Sequence, residues 1–166
     1  MNPLLQSVIA ALQSGAQKEA IAQIDRVVEF FLKNKNDKIF GSWGTDIIRL
    51  MVAYHWAKNT LIVSEKDGEI DGVFMWYRCN ANDGWEFVDE WKPDRPDGDA
   101  VFLAFLHCNN NDSLRRGVLN FIEMVPDVFS LKLFAFRVKN KKPTLVTYSP
   151  KLFQKLLTIK EHNGFI

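Results

Sequence analysis
The side chains best suited to chemistry gather between residues 106 and 117. His107 and Cys108 close an apolar run, Asp99-Ala-Val-Phe-Leu-Ala-Phe-Leu-His-Cys108, and a polar elbow, Asn109 to Ser113, leads into Leu114-Arg-Arg-Gly117 and on to Met124. Histidine ordinarily titrates near neutral pH, which makes His107 a natural general base, although a histidine at a strand end also serves as a structural hydrogen-bonding residue. Cys108 offers a thiol; with no activating partner in sequence it reads as a small buried residue. Glu86 and Asp89 are further candidate bases, and Tyr148 is a candidate acid. Arg115 and Arg116 carry charge that suits phosphate, and the backbone N–H groups where a strand turns into a helix can hold an anion.

The elements around that stretch follow from periodicity and punctuation. A run rich in Val, Phe and Leu without alternation predicts a strand buried on both faces over 99–108, followed by a helix over 114–124 with Asp112 or Ser113 as its cap. Upstream, Leu4, Leu5, Val8, Ile9 and Leu12 keep helical spacing behind Asn2 and Pro3, and Ala16 to Asn34 repeats the pattern, so residues 1–34 predict a helical hairpin extending the domain. Lys33 to Lys38 reads as a solvated link, and Thr45 precedes a further helix through Tyr54. Asn59 to Glu65 and Gly72 to Cys79 flank Asp67-Gly68, a strong hairpin signal. Trp85 to Trp91 predicts another extended segment, Leu131 to Lys139 and Pro143 to Tyr148 two strands, and Pro150 a closing helix.

Composition narrows the function classes. The chain has 166 residues, 47% hydrophobic and 25% charged, which predicts one domain with a real core. A net charge of +1 provides no global field for nucleic acid or anionic membrane, so neither is an expected partner. Two cysteines make no disulfide framework, and no stretch has the length of a spanning helix or the pattern of a signal peptide; the expected setting is cytoplasmic. Seven carboxylates fall between Asp83 and Asp99, but without the spacing of a calcium loop, and no metal is expected. Ser/His/Asp order, paired-cysteine signatures, a P-loop and a dinucleotide fingerprint are all missing.

Taken together, the order of elements predicts an α/β (α+β) domain, and over roughly residues 40 to 150 it resembles the GNAT superfamily of acyl-CoA-dependent N-acyltransferases. The matching pieces are the hairpin Thr60 to Cys79, the apolar strand Ala100 to Cys108, the helix from Ser113 to Met124, and the strand Leu131 to Val138. The pattern is nearest to the toxin-activating lysine acyltransferase branch, through Asp97-Gly-Asp99, Pro126-Asp127 and Phe134 to Val138. It departs from that branch where the latter carries its histidine and aspartate, since Phe40 to Trp43 and Ala104 stand there; of the pyrophosphate-loop signature only Gly117 is kept, between Leu114 and Leu119. The resemblance implies a central mixed, mostly antiparallel sheet flanked by helices, with a later strand splayed to leave a slot. It implies acetyl-CoA or another acyl-CoA as co-substrate, held by Leu106, Cys108, Asn109, Ser113, Arg115, Arg116 and Gly117. His107 or Glu86 would take the proton of an amine, from a small molecule or a protein, bound beside Trp76 and Trp85, and Tyr148 would protonate the leaving thiolate. The alternative is a noncatalytic binding or assembly protein of the same fold, dimerising through its N-terminal helices.

Overall fold
The computed structural model describes residues 2–12, 17–83, 95–152 and 154–155. Helices α1 (Pro3–Leu12), α2 (Gln17–Asn34), α3 (Asp37–Phe40) and α4 (Thr45–Ala57) come first, followed by the hairpin of β1 (Leu61–Lys66) and β2 (Glu69–Cys79). Then come β3 (Ala100–Cys108), α5 (Asn111–Met124), β4 (Lys132–Lys139) and β5 (Lys142–Tyr148). The strands form one mixed sheet in the order β1-β2-β3-β4-β5, antiparallel throughout except for β3 and β4, which run parallel and are joined by α5. The expected α/β class and mostly antiparallel sheet are thus present.

Turn chemistry sets the sheet register. Asp67 and Gly68 both take positive φ, 54° and 80°, the paired left-handed conformation whose twist suits a two-residue hairpin. Asn140 and Lys141 do the same between β4 and β5, at 49° and 65°. At the N-terminus, Leu4 N–H donates to Asn2 Oδ1 at 2.9 Å, so the predicted cap and the Pro3 start both hold.

Two apolar layers sandwich the sheet. On one face Val73, Met75, Tyr77 and Phe102 pack against α2, α3 and α4; on the other Phe74, Trp76, Val101 and Leu133 lie beneath α5. Val27 and Phe31 of α2 are fully buried in the first layer, which builds residues 17–34 into the core instead of leaving them as an appendage. A polar knot fastens α5 to the hairpin. Arg116 donates to Ser64 Oγ at 2.7 Å, to the Glu65 carbonyl at 2.8 Å, to Asp71 at 2.5 Å and to Asp112 at 3.2 Å.

Three expectations change. The link at 33–38 contains the start of α3: Asn36 caps it by accepting from Lys38 N–H at 3.0 Å, and its apolar side buries Ile39 and Phe40. Gly44, not Thr45, occupies the cap position of α4. Helix α5 begins three residues early because Asn110 is its cap, so Asp112 and Ser113 belong to its first turn. The predicted segment Trp85 to Trp91 and most of the closing helix lie outside the described residues, although Lys151 and Leu152 are helical.

His55, near the end of α4, is wholly buried. Its Nδ1 lies 2.7 Å from Thr60 Oγ1 and its ring sits edge-on to Tyr54 and Tyr77. Burial pushes its pKa from the usual 6.5 down to about 3, outweighing the hydrogen bonds that favour the proton. The unfolded chain therefore takes up a proton near pH 6.5 that the folded chain refuses until about pH 3, and stability falls as pH drops through that window. Urea unfolding at pH 6.5 and pH 5 is expected to show a loss of about 2 kcal/mol from this residue, at about 1.4 kcal/mol per pH unit. In His55→Phe that part of the slope disappears; an unchanged slope would contradict the assignment.

Candidate functional site
Strands β3 and β4 pair only from Ala100↔Lys132 to Leu103↔Ala135, and beyond that point each continues without the other. Strand β3 stays with β2 as far as Gly72↔Cys108, and β4 stays with β5 as far as Lys139↔Lys142. The divergence coincides with a β-bulge: Met75 faces Phe105 while Trp76 faces Leu103, so Ala104 is an extra residue. A bulge turns its strand and strengthens the local twist. The result is a cleft of about 370 Å³ whose walls come from Leu103 to His107 on one side and Phe136 to Val138 on the other. Consecutive strand residues point to opposite faces, so residues of both sheet faces border the gap between the strands. Asn34, Asn36, Ile39 and Phe40 border it on the α2–α3 side.

His107 lines this cleft. It is half-buried, lies opposite Val73, and places its ring edge-on to Phe30 of α2 at 5.7 Å between centroids. Leu106 also lines the cleft and touches the layer beneath α5. Arg137 lies at the mouth, with its guanidinium 5.4 Å from the centre of the Tyr148 ring. Arg115, in the first turn and a half of α5, has its Nε buried with no hydrogen-bond partner among the described residues. Helical geometry puts it on the other side of the buried stripe from Arg116, away from the hairpin.

The remaining candidates are committed elsewhere. Ser113 is fully buried in a capping box, its N–H donating to Asn110 Oδ1 at 2.8 Å and its hydroxyl to the Asn110 carbonyl at 2.9 Å. Asn109 N–H donates to the Asp71 carbonyl at 2.8 Å. Arg116 is spent on the knot with Ser64 and Asp71, which leaves it no part in holding a ligand. Gly117 stands in the second turn of α5, where a Cβ would sit 2.7 Å from Phe74 Cζ; its role is close helix-to-sheet approach, not a phosphate loop. Burial pushes the Cys108 thiol up to about 11, so it is a protonated, unreactive thiol at neutral pH.

Trp76 lies under α5 with its ring edge-on to Phe121 at 5.0 Å and is 4% exposed, so it cannot bind an acceptor at the cleft. Tyr148 pairs with Leu133, near the closed end of the β3–β4 ladder. At about 3.3 Å per residue this is roughly 20 Å along the strands from His107, and the two residues do not meet in one site. Trp85 and Glu86 lie outside the described residues. Of the acidic run, Asp83 pairs with Arg95 at 2.9 Å and Asp99 accepts from Ala81 N–H at 2.8 Å, both structural uses. Among the described residues no cluster of three metal-ligating side chains occurs.

Of the cleft residues, Asn34, Asn36, Phe40, Phe136 and Arg137 are not among the site candidates read from the sequence, although Phe40 stands in the region where the resembled branch carries its histidine. Asn36-Asp37 ahead of Ile39-Phe40 was the available signal for a capped turn, and Arg137 inside an apolar strand was the signal for an opening in the sheet. Comparison with protein-family models and with curated proteins finds no match to this chain.

The packing role of Gly117 is directly testable. Alanine gains up to about 1 kcal/mol of helix propensity, but its methyl must displace the ring of Phe74, which is 1% exposed and has nowhere to swing. Overpacking of this kind costs about 1–3 kcal/mol, so Gly117→Ala is expected to lower the urea midpoint. A higher midpoint would show that the ring yields and that the glycine has another purpose.

Proposed function
We propose that the protein is a GNAT-like N-acyltransferase that takes its acyl group from acetyl-CoA or a related thioester. The observation that carries this reading is the parting of β3 and β4 after Leu103↔Ala135, which opens a cleft between the strands beside His107. Where two strands diverge, each presents main-chain donors and acceptors that no strand partner uses. An extended chain bearing amides, as the pantetheine arm of coenzyme A does, can bind there in the manner of an added strand. The arm's polar end would lie on the α5 side, near Arg115, Arg137 and the positive end of the helix dipole. Its thioester would then lie within reach of His107 on the α2 side.

Transfer in this site proceeds by direct attack. The amine nitrogen forms a bond to the thioester carbonyl carbon, His107 removes the proton that the nitrogen sheds, and the carbon–sulfur bond breaks to release coenzyme A, whose thiolate is reprotonated from His107 or solvent. The bulge at Ala104 turns the backbone at the wall of the cleft, where an amide could stabilise the developing oxyanion. Tyr148 has no part in this account.

The noncatalytic alternative rested on the missing second glycine, the absent branch-specific residues and the amphipathic N-terminal helices; the last of these supports it less, since α2 buries Val27 and Phe31 inside the domain. Calorimetric titration with coenzyme A and acetyl-CoA is expected to give micromolar dissociation constants, weakened about tenfold in Arg115→Ala through loss of one charge-assisted phosphate contact. With an accepted amine, His107→Ala is expected to lower turnover by about 10²–10⁴ while leaving acetyl-CoA binding intact. No binding at millimolar coenzyme would overturn the proposal, and full turnover by His107→Ala would remove the histidine from it.

A further inference from the structure
The cleft has a floor. Phe136 is the first residue of β4 beyond the last β3–β4 pair, and Phe105 follows the bulge on β3. Both belong to the layer on the α2–α4 face and both line the cleft. Phe40 packs its edge on Phe105 at 6.2 Å and adds α3 as a cover, with Ile39 beside it. Behind them, Phe31 lies against Phe105 at 4.2 Å and Phe102 against Phe136 at 5.8 Å. Phe40, Phe105 and Phe136 are 5–8% exposed, so the rings are held from behind and cannot fold away into solvent-filled space.

We infer that these three phenylalanines act as a stop that restricts the donor to short acyl groups. The inference rests on the acyl-CoA reading above. With phosphates on the α5 side and the thioester carbon near His107, an acyl tail continues toward the α2–α3 face, where it meets this aromatic wall. A longer tail must push apart rings that are already packed on their neighbours, Phe105 on Phe31 and Phe40, and Phe136 on Phe102. The residues concerned set specificity; none touches a proton in the reaction.

The test is a binding and turnover series with acetyl-, butyryl-, hexanoyl- and octanoyl-CoA on the full chain. Octanoyl-CoA is expected to bind at least about tenfold more weakly than acetyl-CoA, the consequence of overpacking a filled site. In Phe136→Leu and Phe40→Leu, chosen because leucine keeps most of the packing, the ratio of acetyl- to octanoyl-CoA affinity is expected to fall at least threefold, and an unchanged ratio in variants that fold would overturn the stop. Should neither variant fold, the wild-type series decides by itself. Equal binding of acetyl- and octanoyl-CoA overturns the stop and leaves the acyltransferase reading standing. Failure of every thioester, and of coenzyme A, overturns both.

Discussion
Everything distinctive about this domain depends on two neighbouring parallel strands parting company halfway along. Strand β3 is tied to β2 over its whole length and β4 to β5 over its whole length, so each antiparallel pair keeps its own hydrogen bonds whatever happens between them. The parallel ladder that joins the pairs covers only Ala100 to Leu103. The extra residue at Ala104 re-aims β3, and the phenylalanines just beyond the vertex fill the space that opens. Ending the ladder there leaves main-chain polar groups without a strand partner, a cost that solvent in an open cleft, or a ligand, can offset.

The two faces of the sheet contribute unlike things to that opening. The α5 face is stiffened by the Arg116 knot, which binds helix to hairpin through four different acceptors, and by Gly117, which lets the helix settle onto Phe74. The arrangement fixes the start of α5, and with it Arg115, relative to the end of β3. The α2–α4 face is aromatic at depth, with Phe31, Phe40 and Phe105 in mutual edge and tilted contacts and Phe102 edge-on to Phe136. Around the cleft it becomes polar at the rim, where Asn34, Asn36 and His107 line the opening.

Much of this was legible in the letters, and for identifiable reasons. Asp67-Gly68 announces its hairpin because few residues tolerate positive φ, and the structure finds both there; Asn140 and Lys141 adopt the same conformation, although lysine gives no such signal. The unalternating run Val101 to Leu106 reads as a strand covered on both faces because it is one, with Val101 and Leu103 beneath α5 and Phe102 and Phe105 against the other layer. The site was less legible. Arg116 and Arg115 are neighbours of one type in sequence, and only the fold assigns one to a structural knot and leaves the other's Nε without a partner. Ser113 and Gly117 likewise look like cradle residues until Asn110 and Phe74 are brought against them. The splay itself has no letter code; it follows from which strand pairs with which, a long-range fact.

The same reasoning gives the meaning of Gly117, the one glycine that resembles part of a pyrophosphate-loop signature. A glycine in a phosphate loop is needed because a Cβ would block the approach of an anion to backbone N–H groups. At Gly117 a Cβ would instead block a phenylalanine, and the start of the helix is several residues earlier, at Asn110 and Asn111. There the cap is an asparagine whose side chain already satisfies Ser113 N–H, so the helix start is well ordered before any ligand arrives. Such a junction would attract phosphate through the helix dipole and nearby arginine side chains more than through a tight nest of amides. On the acyl-CoA reading proposed above, such an interaction would be electrostatic and solvent-facing, so affinity for the polar end of the coenzyme would depend on ionic strength, and contacts of the arm and acyl group inside the cleft would depend on it much less.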